Sequence, residues 1–155
     1  MNEIFKRRRI LLLNNVPSKL VVFESGKRAL SAGSIVNESK YSFEYSFTNT
    51  AIKIGGGSKG KVSIQGIDFT NYTKLCFTAK TNTAEENPYV DDYYVGYGDT
   101  KATNDSGSNK VRAVVPKTKK TLTFDIKNVT GNKYIYLGCY RDGTNYVEVY
   151  DIWLE

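Results

Sequence analysis

The chain reads as all-β, an antiparallel β-sandwich or barrel, on three observations. Thr, Tyr, Val, Ile and Phe, the types that favour strands, are abundant, with 12 tyrosines and 7 phenylalanines among 155 residues. Short segments of alternating polarity recur along the chain, separated by turn-rich stretches such as TNTAEENP, GDTKATNDSGSN, KNVTGN and RDGTN. No strand–helix alternation appears, so a parallel sheet is not expected. The length suits one domain, which buries about 68–70% of its unfolded surface and needs no covalent staple. A composition 40% hydrophobic and 25% charged is that of a globular chain rather than a disordered one.

The first element is different in kind. In MNEIFKRRRILLLNNVPS, Asn2 can cap a short helix, Ile4, Phe5, Ile10, Leu11, Leu12 and Leu13 give it apolar surface, and Asn14, Asn15 and Pro17 stop it. A helix of about twelve residues is marginal without packing. It has three outlets: its own domain, another chain, or, through Arg7-Arg8-Arg9, a nucleic acid. The last is the weakest, because the basic cluster is short and carries no interleaved aromatics. Residues 1–17 are therefore read as a docking arm, with Ile4, Phe5, Arg7, Arg8, Arg9, Ile10, Leu11, Leu12 and Leu13 as its contact residues, and 18–155 as the β-sandwich. The net charge is +6, and residues 1–20 supply +4 of it (Lys6, Arg7, Arg8, Arg9 and Lys19 against Glu3). The apolar run Ile10–Leu13 is too short for a signal peptide's core of ~7–15 residues. No run approaches the ~20 apolar residues of a membrane span, so insertion is not expected.

After Pro17 the expected strands are 19–24, 34–37, 41–48, 52–54, 61–67, 74–80, 90–97, 110–115, 121–126, 133–140 and 146–154. The segment YSFEYSFT alternates strictly. Gly55-Gly56-Gly57 is read as a flexible turn closing the strand that begins at Ile52.

Side chains alternate across a strand, so faces can be assigned by parity. Leu75, Phe77 and Ala79 share an apolar face, and Cys76 points away with Lys74, Thr78 and Lys80. Cys139 shares an inward face with Ile135 and Leu137. The cysteines thus face opposite ways, and no disulfide is expected between them. In VDDYYVGYGD, Tyr93, Val95 and Tyr97 point inward and Tyr94 outward. Tyr136 and Tyr140 lie opposite the Ile135–Leu137–Cys139 face. In the last strand Val147 and Val149 point inward and Tyr146, Glu148 and Tyr150 outward, with a bulge changing parity before Ile152-Trp153-Leu154. If these strands are neighbours, Tyr94, Tyr136, Tyr140, Tyr146, Glu148 and Tyr150 line one solvent-facing surface. Such a surface has three readings: cross-strand pairs that stabilise the sheet, a protein contact, or a platform for sugars, since tyrosine offers an apolar face and a hydroxyl together.

Chemistry is more narrowly bounded. The chain has no histidine, which removes Ser-His-Asp and Cys-His nucleophiles, histidine-ligated zinc and histidine acid–base work. Two cysteines do not make a four-thiolate zinc site. The run Gly55 to Gly60 lacks the G-x-x-x-x-G-K-[ST] order of a phosphate loop. Asp91, Asp92 and Asp99 have no calcium-loop spacing and read as solvated carboxylates. A glycosidase needs two facing carboxyls, and Asp92 with Glu148 meets that only through a fortunate strand order. No enzyme activity, cofactor or metal is expected.

The stretches IDFTNYTKLCFTAK and TLTFDIKNVTGNKYIYLGCYRDGTNYVEVYDIWLE resemble the middle and end of small jelly-roll modules in minor structural proteins of phages and prophages of Gram-positive bacteria. Those modules resemble carbohydrate-binding modules in fold. The start, MNEIFKRRRILLL, is similar to the opening of minor virion proteins of such phages. The resemblance implies a jelly-roll-like sandwich in a virion-associated protein on the tail, baseplate or capsid surface, made in the bacterial cytoplasm. It would be docked by its arm to other virion proteins in multiple copies. The alternative reading is a glycan-binding module that aids adsorption to the host cell wall.

Overall fold

The computed structural model describes residues 18–25, 45–57, 60–83, 92–101, 110–140 and 143–155, together with the backbone of 35–37. The expected arm, with every contact residue assigned to it, lies outside these, as does Asp91. Eleven strands are present: β1 (Leu20–Phe23), β2 (Ile35–Asn37), β3 (Tyr45–Phe47), β4 (Ile52–Gly57), β5 (Gly60–Asp68), β6 (Lys74–Thr81), β7 (Tyr93–Gly98), β8 (Val111–Val114), β9 (Lys120–Asp125), β10 (Asn132–Cys139) and β11 (Gly143–Leu154). Among the described residues there is no helix, and so none long and apolar enough to cross a membrane.

The strands form two antiparallel sheets. Sheet I runs β3-β4-β11-β6-β9, with β1 also paired to β11; sheet II runs β2-β5-β10-β7-β8. The twelve-residue β11 is the spine of sheet I, bonded to β6 along one side and to β4 and then β1 along the other. The last residue closes the sheet: the Thr73 and Lys74 amides donate to the Glu155 carbonyl at 2.7 and 2.8 Å.

The core lies between the sheets, and parity explains its membership. Sheet I contributes Ile52, Ile54, Leu75, Phe77, Ala79, Val147, Val149, Ile152 and Leu154; sheet II contributes Val62, Ile64, Tyr93, Val95, Tyr97, Ile135, Leu137 and Cys139. Each buried aliphatic or aromatic side chain is worth ~1.5–3 kcal/mol of transfer free energy. Tyr97 of sheet II meets Phe124 of sheet I edge-on at 5.9 Å and also touches Phe69 at 5.4 Å, so aromatics bridge the two layers. Neither cysteine is in a disulfide: Cys139 sits in the core, while Cys76 faces the opposite way, its Sγ 3.7 Å from Thr123 Oγ1.

Two expectations are corrected here. Gly55-Gly56-Gly57 does not end a strand, because β4 continues through it. Gly55 and Gly56 take φ of +90° and +88°, and the pairing with β11 shifts register between Gly143 and Tyr146. Only glycine enters that left-handed region cheaply, and a Cβ on Gly55 would lie 2.8 Å from the Asn145 carbonyl oxygen. A glycine run read as a flexible turn is instead a bulge inside a ladder.

The second correction concerns the single tyrosine surface. β7 and β10 are neighbours in sheet II, but β11 belongs to sheet I. Tyr94, Tyr136 and Tyr140 therefore lie on one outer side of the sandwich and Tyr146, Glu148 and Tyr150 on the other. The bulge expected near the end of β11 is present: its pairing with β6 shifts between Val149 and Asp151, leaving Tyr150 as the extra residue.

Candidate functional site

The outer side of sheet II is not an open platform. Tyr94 is 2% exposed and Tyr136 0%, and with the half-buried Tyr134 they form a small apolar cluster of their own. Glycines make this packing fit. Gly138 is directly across from Tyr94, and a Cβ there would lie 2.2 Å from the tyrosine ring. A Cβ on Gly98 would meet the Tyr136 hydroxyl at 2.4 Å. Each ring thus lies flat in the space a side chain would take. The Arg112 guanidinium lies over the Tyr94 ring, 4.8 Å from its centroid, and the Tyr136 hydroxyl donates to the Thr100 carbonyl. Burial pushes the Tyr136 phenol up, against that hydrogen bond. Of the tyrosines expected to face solvent here, only Tyr140 is well exposed, at 37%, with the Lys61 ammonium over its ring.

The outer side of sheet I is built differently. In register across three strands, Lys53 of β4, Glu148 of β11 and Lys80 of β6 form one row. Glu148 pairs with Lys80 at 3.2 Å and accepts a hydrogen bond from the Tyr150 hydroxyl at 2.7 Å. Burial works to raise the Glu148 carboxyl, but the bonds from Tyr150 and Lys80 outweigh it and hold it below the usual range. Lys80 is pushed up by hydrogen bonding to Tyr150 and Glu148. A glycosidase acid needs a raised carboxyl; Glu148 is an ionised acceptor instead. Asp92, its imagined partner, precedes β7 in the other sheet.

Aromatic rings flank this row along β11. Tyr146 lies across from Gly55, half-buried, with Lys53 Nζ 4.1 Å from its centroid. Its backbone is pinned: Asn82 Oδ1 accepts from its amide at 2.6 Å, and Thr81 Oγ1 donates to its carbonyl at 2.7 Å. Tyr150 is nearly buried and lies under Lys119, whose Nζ is 3.8 Å from the ring centroid. Trp153 is half-buried across from Val21 and Cys76, with Lys19 Nζ 4.8 Å from its ring. Beside it lies a cleft of about 190 Å³ lined by Lys19, Val21, Phe23, Glu24, Thr78, Asp151 and Trp153. From Tyr146 to Trp153 is roughly 20 Å at strand spacing, several sugar rings long. The face therefore offers two partly exposed rings, with acceptors (Glu148, Asp151), donors (Lys53, Lys80, Lys119) and hydroxyls (Thr78, Thr121) between and beside them.

Sequence reasoning named Tyr146, Glu148 and Tyr150 but not Lys19, Lys53, Asn82, Lys119 or Trp153. Parity alone had placed Lys80 and Thr78 on an outward face; what it lacked was that β6 and β4 flank β11. Among the described residues, no group of three or more Cys, Asp or Glu side chains comes together to hold a metal ion.

No protein-family model matches the sequence, and no curated protein matches it. Solved structures do match in fold. A family 29 carbohydrate-binding module from Piromyces equi aligns with a TM-score of 0.58 at 13% identity, covering 88% of this chain and 88% of that one. A substituted family 29 module complexed with cellulohexaose, from a series probing ligand recognition, aligns at 0.53 and 14%, covering 88% and 89%. The K2 cleaved adhesin domain of Lys-gingipain aligns at 0.54 and 11%, covering 88% and 99%. At these identities the likeness is one of fold, and it makes the two sheets a sandwich of the carbohydrate-binding-module kind.

Proposed function

We propose that this chain is a non-catalytic glycan-binding module, and that its binding face is the outer side of sheet I. The observation that carries the reading is the line of Tyr146 and Trp153 along β11, with the Lys53–Glu148–Lys80 row between them. Aromatic faces take the C–H faces of pyranose rings, while charged and hydroxyl groups at the rim exchange hydrogen bonds with sugar hydroxyls. The fold supports the same reading: the modules alike in fold are carbohydrate-binding and adhesin domains, and ligand recognition by the family 29 modules was probed by replacing lysine, arginine and tyrosine.

The resemblance of the sequence to phage modules supplies a setting: a virion surface from which such a domain, docked by residues 1–17 and present in many copies, would meet a host wall glycan. That resemblance is the setting's sole support. The likeness in fold favours glycan binding itself over a structural place in a particle.

The test is affinity electrophoresis against a panel of soluble polysaccharides, followed by titration calorimetry on those that retard the protein. Tyr146→Ala and Trp153→Ala should each weaken binding by about tenfold, equivalent to ~1.4 kcal/mol. Tyr140→Ala, on the opposite sheet, should change it little. A protein that no glycan retards, or one whose binding is lost with Tyr140 and kept without Tyr146, would overturn the reading.

A further inference from the structure

The outer side of sheet I is electrically lopsided. At the Tyr146 end, Lys53, Lys80 and Lys119 surround one carboxylate, Glu148, an excess of two positive charges. At the Trp153 end, Glu24, Asp151 and Glu155 outnumber Lys19 and Lys74 by one negative charge. Glu148 is already engaged by Lys80 and the Tyr150 hydroxyl. Among the described residues, Lys53 and Lys119 have no ion-pair partner; their ammonium groups rest on the rings of Tyr146 and Tyr150, 4.1 and 3.8 Å from the centroids. The Tyr146 ring is half-exposed, so the cation on it is held weakly, and lysine is a point charge on a flexible stem whose donors can be re-aimed.

We infer that the Tyr146 end of this face selects an acidic sugar, one carrying a carboxylate or a phosphate ester. The inference rests on the glycan-binding reading above. An anion placed beside one of these rings would draw its lysine off it, and at Tyr146 the departure of Lys53 would expose the ring face to the sugar ring. A neutral sugar would gain the same ring contact but would leave the two positive charges unanswered. Glu148 limits where the acid group can sit, because an anion placed directly over β11 would meet its carboxylate. The acid group is therefore placed to either side of the central strand, toward Lys53 on β4 or toward Lys119 beside β9.

The experiment measures binding of the full chain to four polymers at low salt: polygalacturonate, a phosphomannan, neutral hydroxyethylcellulose, and duplex DNA. The first two distinguish carboxylate from phosphate. One or both should bind at least about tenfold tighter than the neutral glucan, and 0.5 M salt should erase that preference by screening. Lys53→Ala and Lys119→Ala should each narrow the acidic-over-neutral ratio by about two- to fivefold, the size expected for exposed charge pairs. Equal or tighter binding of the neutral glucan would overturn the inference and leave the glycan-binding reading standing. Binding of no polysaccharide would overturn both. DNA bound as tightly as the acidic glycans would also overturn it, since the patch would then be a polyelectrolyte attractor without a sugar site.

Discussion

The two outer sides of the sandwich carry the same residue type to opposite ends. On sheet II, Tyr94 and Tyr136 lie over Gly138 and Gly98 and are buried. On sheet I, Tyr146 stands half-exposed beside Lys53, and Tyr150 serves as a hydrogen-bond donor to Glu148. The neighbours decide the difference. Where the space of a glycine's absent Cβ opens toward a tyrosine across or diagonal from it, the ring fills that space, which removes it from solvent and fixes the register of the sheet. Tyr146 also has a glycine across from it, but the space at Gly55 is bounded by Asn145 and Cys139 rather than by the ring, so Tyr146 stays at the surface with Lys53 on its face and remains usable by a ligand. Tyrosine-rich β-strands are therefore not binding faces by composition; what lies beside each ring settles the matter.

The largest effect that would break this contrast is on stability. Tyr94→Ala should cost ~3–5 kcal/mol, the range for removing a large buried ring, and so should Tyr93→Ala in the core. Its outward parity alone would imply a small loss at Tyr94; its burial reverses that. Tyr146→Ala should cost under ~1 kcal/mol in the same denaturant melts. Equal losses at Tyr94 and Tyr146 would erase the distinction between the faces.

Next in size is Gly138→Ala. Its new Cβ would collide with the Tyr94 ring, and overpacking of this kind costs ~1–3 kcal/mol. The collision should disappear in a Tyr94→Ala background. A double-mutant cycle should therefore show coupling of 0.5 kcal/mol or more, about the threshold at which contacting residues depart from additivity. Additive losses would mean that the ring does not occupy the glycine's space.

The smallest effect is electrostatic. Lys80 and Glu148 are 36% and 17% exposed, so their pair should contribute ~0.2–1 kcal/mol in a double-mutant cycle. Its pH dependence has a definite sign. The Glu148 carboxyl is depressed in the folded state, so its contribution is present above the ordinary glutamate range and lost as pH falls through the folded value. Glu148→Gln should flatten the acid side of the stability profile. A steeper acid limb in that variant would reverse the assignment.

Much of this arrangement was legible in the sequence. The strands were placed, because turn chemistry and alternation mark them, and parity assigned Tyr93, Val95 and Tyr97 to the core and Cys76 and Cys139 to opposite faces. The bulge before Ile152 was also readable from the apolar pattern. Strand order was not. Nothing local to GTNYVEVYDIWL says that it lies between KLCFTAK and AIKIGGG rather than beside NKYIYLGC, since long-range pairing is set by the whole core. That one unknown merged two faces into one. Gly55–Gly57 misled for a related reason: three glycines look like a flexible turn until a partner strand requires a bulge there.

The most direct test uses Trp153, the one tryptophan in the chain, which sits on the outer side of sheet I beside the cleft. Its emission and its quenching by acrylamide are followed while a glycan that retards the protein in electrophoresis is titrated in. The account predicts a saturable change in Trp153 emission and protection from acrylamide. Both should follow the same isotherm as calorimetry and be weakened by Tyr146→Ala. Binding that saturates by calorimetry while Trp153 emission and quenching stay unchanged would contradict it, and would move the glycan to another face of the sandwich.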